Sequence, residues 1–360
     1  MNDGKTAPAE ADANESEDPN TITVLLTGAS GFVGMHCIVQ LLDAGYRVRG
    51  TLRTMSRADE VRKAIARQTE HTDRLDFVRA NLLQDEGWSE AADGCTYVMH
   101  VASPLPRKPP KHEDELIVPA RDGALRVLEA AIAAGVKRVV MTSSVAAILY
   151  GHVRDGSKIF DEDDWSLLND ELGAYEKSKT IAERAAWDRM TDGDEPVTTE
   201  LVTINPGLVL GPVLNDDFAT SGEVVRKLMK RELPGCPDMH WPVVDVRDVA
   251  AAHLAAMTAP AAAGRRFACT NGSTTMHEIA QILDRHFAER GYRIPTRKLP
   301  NWLVRLAAIF DKTTRLIVPD LGKRQDVSNT RIIETLDWQP RSVEEMVVSM
   351  GESMIEHGVV

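Results

Sequence analysis

A glycine-rich turn between a predicted strand and a predicted helix constrains this chain more than any other feature. Residues 23–26 form an apolar run typical of a buried parallel strand, and residues 32–42 repeat apolar side chains at helical spacing. Between and within them stand Gly28, Gly31 and Gly34. Glycine lets a phosphate approach the backbone closely, and the following helix N-terminus offers free N–H groups. The pattern predicts a dinucleotide-binding βαβ unit, although a tight connection without a ligand would use the same glycines.

The end of the second predicted strand indicates which dinucleotide would bind. Residues 46–53 alternate as a strand, and a helix is predicted over residues 56–68. An acidic residue at this strand end would bind a ribose 2′-hydroxyl, whereas here Arg53 occupies it and Arg57 follows four residues later. Guanidinium groups bind phosphate oxygens through two N–H groups, so the sequence favours NADP(H) over NAD(H). The alternative is that Arg53 only extends from a strand end into solvent.

Strand and helix patterns alternate along the chain. Further strands are predicted at residues 75–81, 96–102, 137–144, 197–209, 242–244 and 265–269, and further helices at 114–134, 171–190, 223–232, 249–257, 276–289, 302–310, 330–335 and 343–357. The alternation predicts an α/β fold with a doubly wound parallel sheet of the Rossmann type. We expect a disordered acidic tail over residues 1–20, an NADP-binding domain over residues 21–210 to which later segments return, and a smaller, mostly substrate-binding portion over residues 211–360.

Charge and cysteine usage argue against several classes of function. The formal net charge is −12 without a basic stripe, which argues against nucleic acid and anionic membrane surfaces as main partners. The four cysteines are scattered without a Cys-x-x-Cys pair, so neither a disulfide framework nor a thiolate zinc site is expected. No apolar run approaches the ~20 residues of a membrane span, and the N-terminus is acidic rather than signal-like. We expect a cytoplasmic monomer or homodimer that acts on a small molecule.

Two features in the middle of the chain carry candidate catalytic groups. Tyr175 and Lys179 lie four residues apart on a predicted helix, which brings the ammonium near the phenol. A positive neighbour would lower the tyrosine pKa from about 10 and make the phenol a general acid near neutral pH. Ser144 ends a predicted parallel strand, at the sheet edge where open α/β folds bind ligands. Each feature also has an ordinary interpretation. Tyr175 and Lys179 could be a surface pair on an amphipathic helix, and the Ser144 hydroxyl could cap a helix or a loop.

Together these motifs resemble the extended short-chain dehydrogenase/reductase family. That family carries Thr-Gly-x-x-Gly-x-x-Gly early in the chain and Tyr-x-x-x-Lys near the middle. The chain is most similar to the branch of dihydroflavonol reductases, cinnamoyl-CoA reductases and aldehyde or ketone reductases, from about residue 22 to the C-terminus. The segments that carry the similarity are residues 45–53, 94–104, 137–144 and 244–249. The resemblance implies an oxidoreductase that transfers a hydride between NADP(H) and a carbonyl or alcohol.

The resemblance also implies roles for individual residues. Ser144, Tyr175 and Lys179 would form the catalytic triad: Tyr175 protonates the carbonyl oxygen, Ser144 holds it, and Lys179 tunes Tyr175 and binds the nicotinamide ribose. The glycine turn contributes Gly28, Ser30, Gly31, Phe32, Val33 and Gly34 to the cofactor site, beside Arg53 and Arg57. The family would add Asn81 and Leu82 at the adenine, Val101, Ala102 and Ser103 along the cofactor, Pro206, Leu208 and Val209 at the nicotinamide, and Ser221 near the phosphates.

Two departures from the family pattern concern the cofactor. Asn81 stands where the family commonly has aspartate, and an amide can replace it as an adenine contact with one acceptor fewer. Glu60 stands where plant relatives add a second cation, which leaves that role to Arg57. The preference for NADP would then be weaker than Arg53 alone implies.

A third departure concerns the substrate. Leu149 stands five residues after Ser144, where plant flavonoid enzymes carry a polar residue. Because Leu105 and Leu208 are apolar too, a relatively apolar or aromatic aldehyde or ketone is expected. Two other functions stay open: a nucleotide-sugar epimerase or dehydratase that keeps NAD tightly bound, and a non-catalytic NAD(P)-sensing module of the same fold.

Overall fold

The computed structural model describes residues 18–104, 110, 112–169, 172–192, 197–216 and 218–360, except for the side chains of residues 312 and 313. Of the predicted tail, residues 1–17 lie outside the described residues. The prediction was wrong for its last residues, because Pro19–Thr21 forms a 3-10 turn. The Asp18 carboxylate caps this turn by accepting a hydrogen bond from the Asn20 backbone N–H at 3.0 Å.

A seven-stranded parallel sheet forms the centre of the molecule. The strands of the chain are β1 (Thr23–Thr27), β2 (Arg47–Leu52), β3 (Leu75–Arg79), β4 (Tyr97–His100), β5 (Arg138–Thr142), β6 (Glu200–Pro206), β7 (Leu208–Leu210), β8 (His240–Asp245), β9 (Arg266–Cys269) and β10 (Ser273–Thr275). The large sheet has the order β3-β2-β1-β4-β5-β6-β9, and every neighbouring pair in it is parallel. This confirms the Rossmann-type sheet that the alternating patterns predict.

Helices cover both faces of the large sheet. The α-helices are α1 (Phe32–Asp43), α2 (Ala58–Ala66), α3 (Trp88–Ala92), α4 (Asp114–Ala133), α5 (Ala174–Thr191), α6 (Glu223–Met229), α7 (Val246–Thr258), α8 (Met276–Phe287), α9 (Asn301–Phe310), α10 (Lys312–Ile317), α11 (Thr330–Leu336) and α12 (Val343–Glu356). One face packs against α1 and α7, with Ile38 and Val249 fully buried. The other face packs against α4 and α5 through Leu128 and Ala186.

A second, smaller sheet has its own apolar core. Its order is β10-β8-β7, with β7 parallel and β10 antiparallel to β8. The core beside it draws Leu228 from α6, Ile279 from α8 and Met350 from α12, all with no exposed surface. Within the described ranges, no helix has both the length and the apolar content to cross a bilayer.

The strand predicted over residues 197–209 is two strands in different sheets. β6 belongs to the large sheet and β7 to the small one, and Gly207 alone separates them. The Gly207 N–H donates to Cys269 O on β9 at 3.2 Å. A Cβ on Gly207 would lie 2.3 Å from Pro242 O on β8, so no larger residue fits without movement. The chain therefore passes from one sheet to the other at a glycine.

Helix ends account for most of the other differences. The helix predicted over 249–257 begins at Val246, because the Asp245 carboxylate accepts a hydrogen bond from the Arg247 backbone N–H at 2.8 Å and caps it. The helix predicted from residue 171 begins at Ala174. The short elements α3, α10 and β10 were not predicted, since five residues or so give little periodicity.

Candidate active site

The glycine turn has no room for side chains at two of its three glycines. Gly28 has φ +76°, and a Cβ there would lie 3.0 Å from the Ala102 Cα atom. A Cβ on Gly34 would lie 2.2 Å from Gly28 O. Gly31 differs, because its Cβ would meet only Gly28 O, at 3.4 Å. Gly28 and Gly34 are thus required for the turn itself, whereas Gly31 only keeps the backbone open to a ligand.

The N-terminus of α1 follows this turn without a side-chain cap. Gly31 is the N-cap residue of the twelve-residue helix, and no side chain among the described residues accepts a hydrogen bond from its first backbone N–H groups. Phe32 is 3% exposed and packs into the core of the small sheet, so its contribution to a ligand site would come from its backbone. Uncapped N–H groups at a helix N-terminus suit the phosphates of a dinucleotide.

The two predicted phosphate-binding arginines lie in different environments. Arg53 follows the C-terminal end of β2 and is exposed. Arg57 is held from both sides: its Nε and Nη2 donate to the Glu60 carboxylate at 3.1 and 2.8 Å, and its Nη1 donates to Ser30 Oγ at 3.3 Å. Arg57 therefore connects the glycine turn to Glu60, and Arg53 is the more available cation.

The other predicted cofactor residues follow the carboxyl ends of strands. Asn81 and Leu82 come after β3, Val101, Ala102 and Ser103 come after β4, Pro206 ends β6, and Leu208 and Val209 belong to β7. A small cavity between β4, β5, α4 and α5 brings several of these residues together. Its lining includes Leu82, Ala102, Ser103, Ser143, Lys179 and Glu183. Ser221 lies in the turn before α6, and no contact in the described part of the chain ties it to the glycine turn.

Ser144 lies close enough to Tyr175 for its hydroxyl to act on the phenol. Ser144 caps the 3-10 turn Val145–Ala147, and its Oγ accepts a hydrogen bond from the Ala146 backbone N–H at 3.1 Å. Tyr175 lies in the first turn of α5, and Lys179 follows one turn later at the wall of the cavity. Ser144 and Tyr175 therefore lie together near the carboxyl edge of the large sheet, and Lys179 lies one turn further along α5.

Burial governs the pKa values of the phenol and the ammonium. The pKa of Tyr175 is raised, because burial of its hydroxyl disfavours the phenolate, and the hydrogen bond with Ser144 opposes this shift only in part. Burial also lowers the pKa of Lys179 to about 8, against the attraction of the Glu183 carboxylate. The expectation that the pKa of Tyr175 would be lowered is wrong, because desolvation raises it and the neighbouring Glu176 carboxylate adds to the rise.

Sequence reasoning missed Glu183, which connects α5 to three strands. Its Oε2 accepts hydrogen bonds from Ser143 Oγ at 2.5 Å and Asn205 Nδ2 at 2.7 Å. Its Oε1 accepts from Thr203 Oγ1 at 2.9 Å and Arg266 Nε at 2.7 Å. These partners lie on or directly after β5, β6 and β9, and Glu183 is fully buried among them.

The Glu183 network also reaches Ser144. Asn205 Nδ2 donates a second hydrogen bond to the Ser144 carbonyl oxygen at 3.1 Å. The signal in the sequence was spacing, because Tyr175, Lys179 and Glu183 recur every four residues and lie on one side of α5. A single carboxylate at such spacing is too common to interpret without its partners.

His100 is a second residue that the sequence did not single out. Its Nδ1 lies 2.8 Å from Thr27 Oγ1, and that oxygen accepts the Ala102 backbone N–H at 3.0 Å. Burial, together with the charge of Lys179, lowers the pKa of His100 to about 3, so the imidazole is neutral. This pair fixes the ends of β1 and β4 beside the glycine turn.

Of the residues from which an apolar substrate was predicted, Leu149 and Leu208 lie in the described part of the chain. Leu149 is fully buried and packs with Phe160, Ala268 and Val327, so the prediction that it contacts substrate is wrong. The 3-10 turn Val145–Ala147 redirects the chain into the core before Leu149. Leu105 lies outside the described residues, and Leu208 is half-buried on β7.

Comparison with known proteins places these features in context. The family described as the NAD dependent epimerase/dehydratase family matches residues 24–269. An uncharacterised oxidoreductase of Saccharomyces cerevisiae is 33% identical over 347 residues, which cover 90% of this chain and 95% of that protein. Cinnamoyl-CoA reductase 1 of Arabidopsis thaliana is 35% identical over 279 residues, which cover 76% of this chain and 77% of that protein.

Solved structures show the same architecture. Yeast methylglyoxal/isovaleraldehyde reductase Gre2, crystallised with NADPH, superposes with a TM-score of 0.78 at 25% identity and covers 94% of this chain and 100% of its own. Vestitone reductase from alfalfa superposes with a TM-score of 0.72 at 24% identity. The match covers 94% of this chain and 99% of that protein, which shows a shared fold.

Proposed function

Because this chain belongs to the NAD dependent epimerase/dehydratase family of extended short-chain dehydrogenases/reductases, we propose that it is an NADP(H)-dependent oxidoreductase that reduces aldehydes or ketones to alcohols. The observation that carries this proposal is the contact between Ser144 and Tyr175, with Lys179 one turn further along α5. The reductase names of the relatives and the NADPH bound to Gre2 support the same class.

The residues present fit a 2′-phosphorylated dinucleotide. The turn excludes side chains at Gly28 and Gly34, and α1 offers uncapped N–H groups to a pyrophosphate. Arg53 is exposed at the strand end where a 2′-phosphate would lie, while Arg57 is already paired with Glu60. When bound, the reduced nicotinamide would supply the hydride that the carbonyl carbon receives.

The side chains of this site would carry out the proton transfer that accompanies carbonyl reduction. Tyr175 stays protonated near neutral pH, because its pKa is raised, and it can donate that proton to the carbonyl oxygen as the alcohol forms. Ser144 Oγ, fixed by the Ala146 N–H, would hold the same oxygen. At pH 7 Lys179 is mostly an ammonium and would stabilise the phenolate left after proton transfer, until solvent returns the proton.

The test is Tyr175→Phe with NADPH and a panel of aldehydes and ketones. We expect kcat/KM to fall by about 100-fold or more, while the Kd for NADPH, read from nicotinamide fluorescence, changes less than about threefold. Tyr292→Phe, in the core beside the small sheet, is the matched control and should keep full activity. Reduction by Tyr175→Phe at the wild-type rate would overturn the proposed role.

Two results with the wild-type protein would favour the other functions. Purification with a full complement of NAD and no NADPH oxidation across the panel would favour an epimerase or dehydratase. NADPH binding without any turnover would favour a cofactor-sensing module.

A further inference from the structure

The helix α9 turns most of its large apolar side chains to solvent, which reverses the usual arrangement on a protein surface. Of its ten residues, Val304 and Ala308 are the two that are buried. Six of the fifteen large apolar side chains that are exposed in the described part of the chain lie between residues 302 and 316. We call these six the α9 surface, and they are Trp302, Leu303, Leu306, Ile309, Phe310 and Leu316.

The exposure of the α9 surface is large and local. Phe310 is 85% exposed, Trp302 is 68% exposed and Ile309 is 62% exposed. Trp302, Leu306 and Ile309 follow one another at spacings of four and three residues, so they lie on one side of the helix. Scattered apolar residues are ordinary on a protein surface, whereas a contiguous group of this kind marks an interaction surface.

The α9 surface lies in a basic stretch of an acidic protein. Residues 297–324 contain seven Lys or Arg and two Asp, a local net charge of +5, whereas the whole chain carries −12. Arg305 stands three residues after Trp302 and four before Ile309, so it shares the helix face of these apolar side chains. Arg305 is exposed and pairs with no carboxylate among the described residues.

An open groove of about 500 Å³ runs beside Ile309. It is lined by the apolar residues Ala308, Ile309, Val318 and Pro319 and by the cations Arg305 and Arg315. Arg315 is fixed there, because its Nε donates to Ala308 O at 3.1 Å and its Nη2 donates to Ile309 O at 3.0 Å. An apolar groove with two guanidinium groups suits a molecule that has an apolar chain and an anionic head group.

Two other occupants match this surface less well. In a two-fold dimer the same patch lies on both subunits, so Arg305 and Arg315 of one copy would meet the like charges of the other. The acidic residues 1–17 match the charge, but Met1 is their single large apolar side chain. An anionic bilayer matches both properties, since its phosphate groups pair with guanidinium groups and its acyl region accepts Trp and Phe side chains.

We propose that the α9 surface binds the surface of an anionic phospholipid membrane. Ten helical residues are about half of what spans a bilayer, so α9 lies in the plane of the membrane with its apolar side chains at the boundary of head groups and acyl chains. The net charge of the whole chain argues against such a partner. Charges beyond the Debye length of about 8 Å are largely screened at physiological salt, however, so the local charge decides. This binding does not depend on the proposed reductase activity.

The experiment is co-sedimentation of the full-length protein with lipid vesicles. One set of vesicles contains phosphatidylcholine with phosphatidylserine, and the other contains phosphatidylcholine alone. We expect binding to the first set to be at least about tenfold tighter than binding to the second, because several cations lie at the surface. Raising the salt from about 0.15 to about 1 M should release much of the protein, since the Debye length falls to about 3 Å.

Ile309→Ser tests the apolar part of the surface. Ile159→Ser is its matched control, because Ile159 is 67% exposed and lies outside the α9 surface. We expect Ile309→Ser to weaken binding to anionic vesicles about tenfold or more and Ile159→Ser to leave it within about twofold of wild type. Both melting temperatures should stay near that of wild type, since both side chains are exposed.

Arg305→Gln tests the charged part of the surface. Arg265→Gln is its matched control, because Arg265 is exposed in the turn before β9 and its loss changes the net charge equally. We expect Arg305→Gln to weaken binding about fivefold, the contribution of one cation near an anionic membrane, and Arg265→Gln to leave it within about twofold.

Three results would overturn the proposal. The first is failure of the wild-type protein to bind anionic vesicles. The second is equal binding by Ile309→Ser and wild type, which would assign the attachment to another surface. The third is a dimer in sedimentation velocity without lipid that Ile309→Ser dissociates, which would make α9 an interface between two copies. NADPH oxidation is measured separately in solution, so failure of the proposed function and failure of membrane binding are distinguishable.

Discussion

Glu183 and Arg266 form a buried ion pair, with Oε1 and Nε 2.7 Å apart, between the catalytic helix α5 and the edge strand β9. Arg266 continues the connection outward. Its Nη1 donates to the carbonyl oxygens of Glu162 and Asp164 at 2.7 and 2.8 Å, and its guanidinium carbon lies 3.7 Å from the centre of the Trp165 ring. One carboxylate on α5 thereby fixes the edge of the sheet and the loop that precedes the catalytic helix.

Glu183→Gln should destabilise the protein strongly. Loss of the carboxylate charge leaves Arg266 buried without its counterion, and removal of one partner of such a pair costs about 3–5 kcal/mol. The free energy of unfolding in urea measures this. Arg189→Gln is the control, because it breaks the partly exposed Arg189–Glu129 pair and should cost no more than about 1 kcal/mol. Equal costs for the two variants would contradict the importance of the Glu183 network.

Substitution of the turn glycines should separate cofactor binding from folding. Gly31→Ala meets only Gly28 O at 3.4 Å, so the melting temperature should change little. The added methyl group lies where a pyrophosphate would approach, and the Kd for NADPH should rise about tenfold. Gly34→Ala places a Cβ 2.2 Å from Gly28 O and should lower both stability and affinity. Calorimetric melting and fluorescence titration give the two readouts, and unaltered NADPH binding in Gly31→Ala would count against this cofactor site.

Arg53→Ala should change the choice between the two nicotinamide cofactors. Loss of a guanidinium contact to a 2′-phosphate should raise the KM for NADPH about tenfold or more and leave the KM for NADH nearly unchanged. Arg47→Ala, at the exposed opposite end of β2, is the matched control. Equal effects of Arg53→Ala on the two cofactors would remove this side chain from the 2′-phosphate site. Any preference for NADPH over NADH would then have to come from Arg57.

Three buried histidines should make the protein lose stability as the pH falls. The loss should begin at pH values above those at which carboxylates titrate. Burial lowers the pKa of His36 and of His253 to about 4 and, with Lys179, that of His100 to about 3. Unfolded histidines take up protons below pH 6.5, whereas the folded protein keeps these three neutral. Stability is therefore complete above pH 6.5 and falls as the pH decreases, by about 2 kcal/mol for each histidine at pH 5.

Urea unfolding at pH 7.5 and pH 5 measures this loss. His253→Gln should remove about one third of the difference, because its amide oxygen can still accept the Thr142 hydroxyl without titrating. His71→Gln, at an exposed position, should leave the difference unchanged. A stability that does not vary between these two pH values would contradict the neutral state of the buried histidines.

The sequence predicted the parts of this protein that depend on local patterns. The glycine turn follows from a short motif whose backbone geometry is fixed within a few residues, whereas the pairing of Ser144 with Tyr175 was expected only from the resemblance to a known family. The Glu183 network could not be predicted, because Ser143, Thr203 and Arg266 come together only when the sheet forms. The same holds for the ion pair of Arg154 with Asp320, which lie 166 residues apart in the chain.

Errors arose where two structures share one local pattern. The apolar run through Gly207 was predicted as one strand, because the two strands that it contains, β6 and β7, are both apolar. Leu149 was expected near the substrate because it lies five residues after Ser144, but a count of residues does not show that the intervening 3-10 turn directs it into the core. The predicted direction of the Tyr175 pKa shift was wrong, because desolvation depends on packing that a sequence does not display.

The glycine between β6 and β7 also limits how this protein can be recombined with its relatives. A chimera cut at residue 207 would separate a glycine from the two strands that require it, since its N–H donates to Cys269 on β9 and its Cα faces Pro242 on β8. A workable exchange of the substrate-binding part would begin after Leu210 and return residues 266–269 to the original parent. Domain shuffling in this architecture therefore needs three crossover points rather than one.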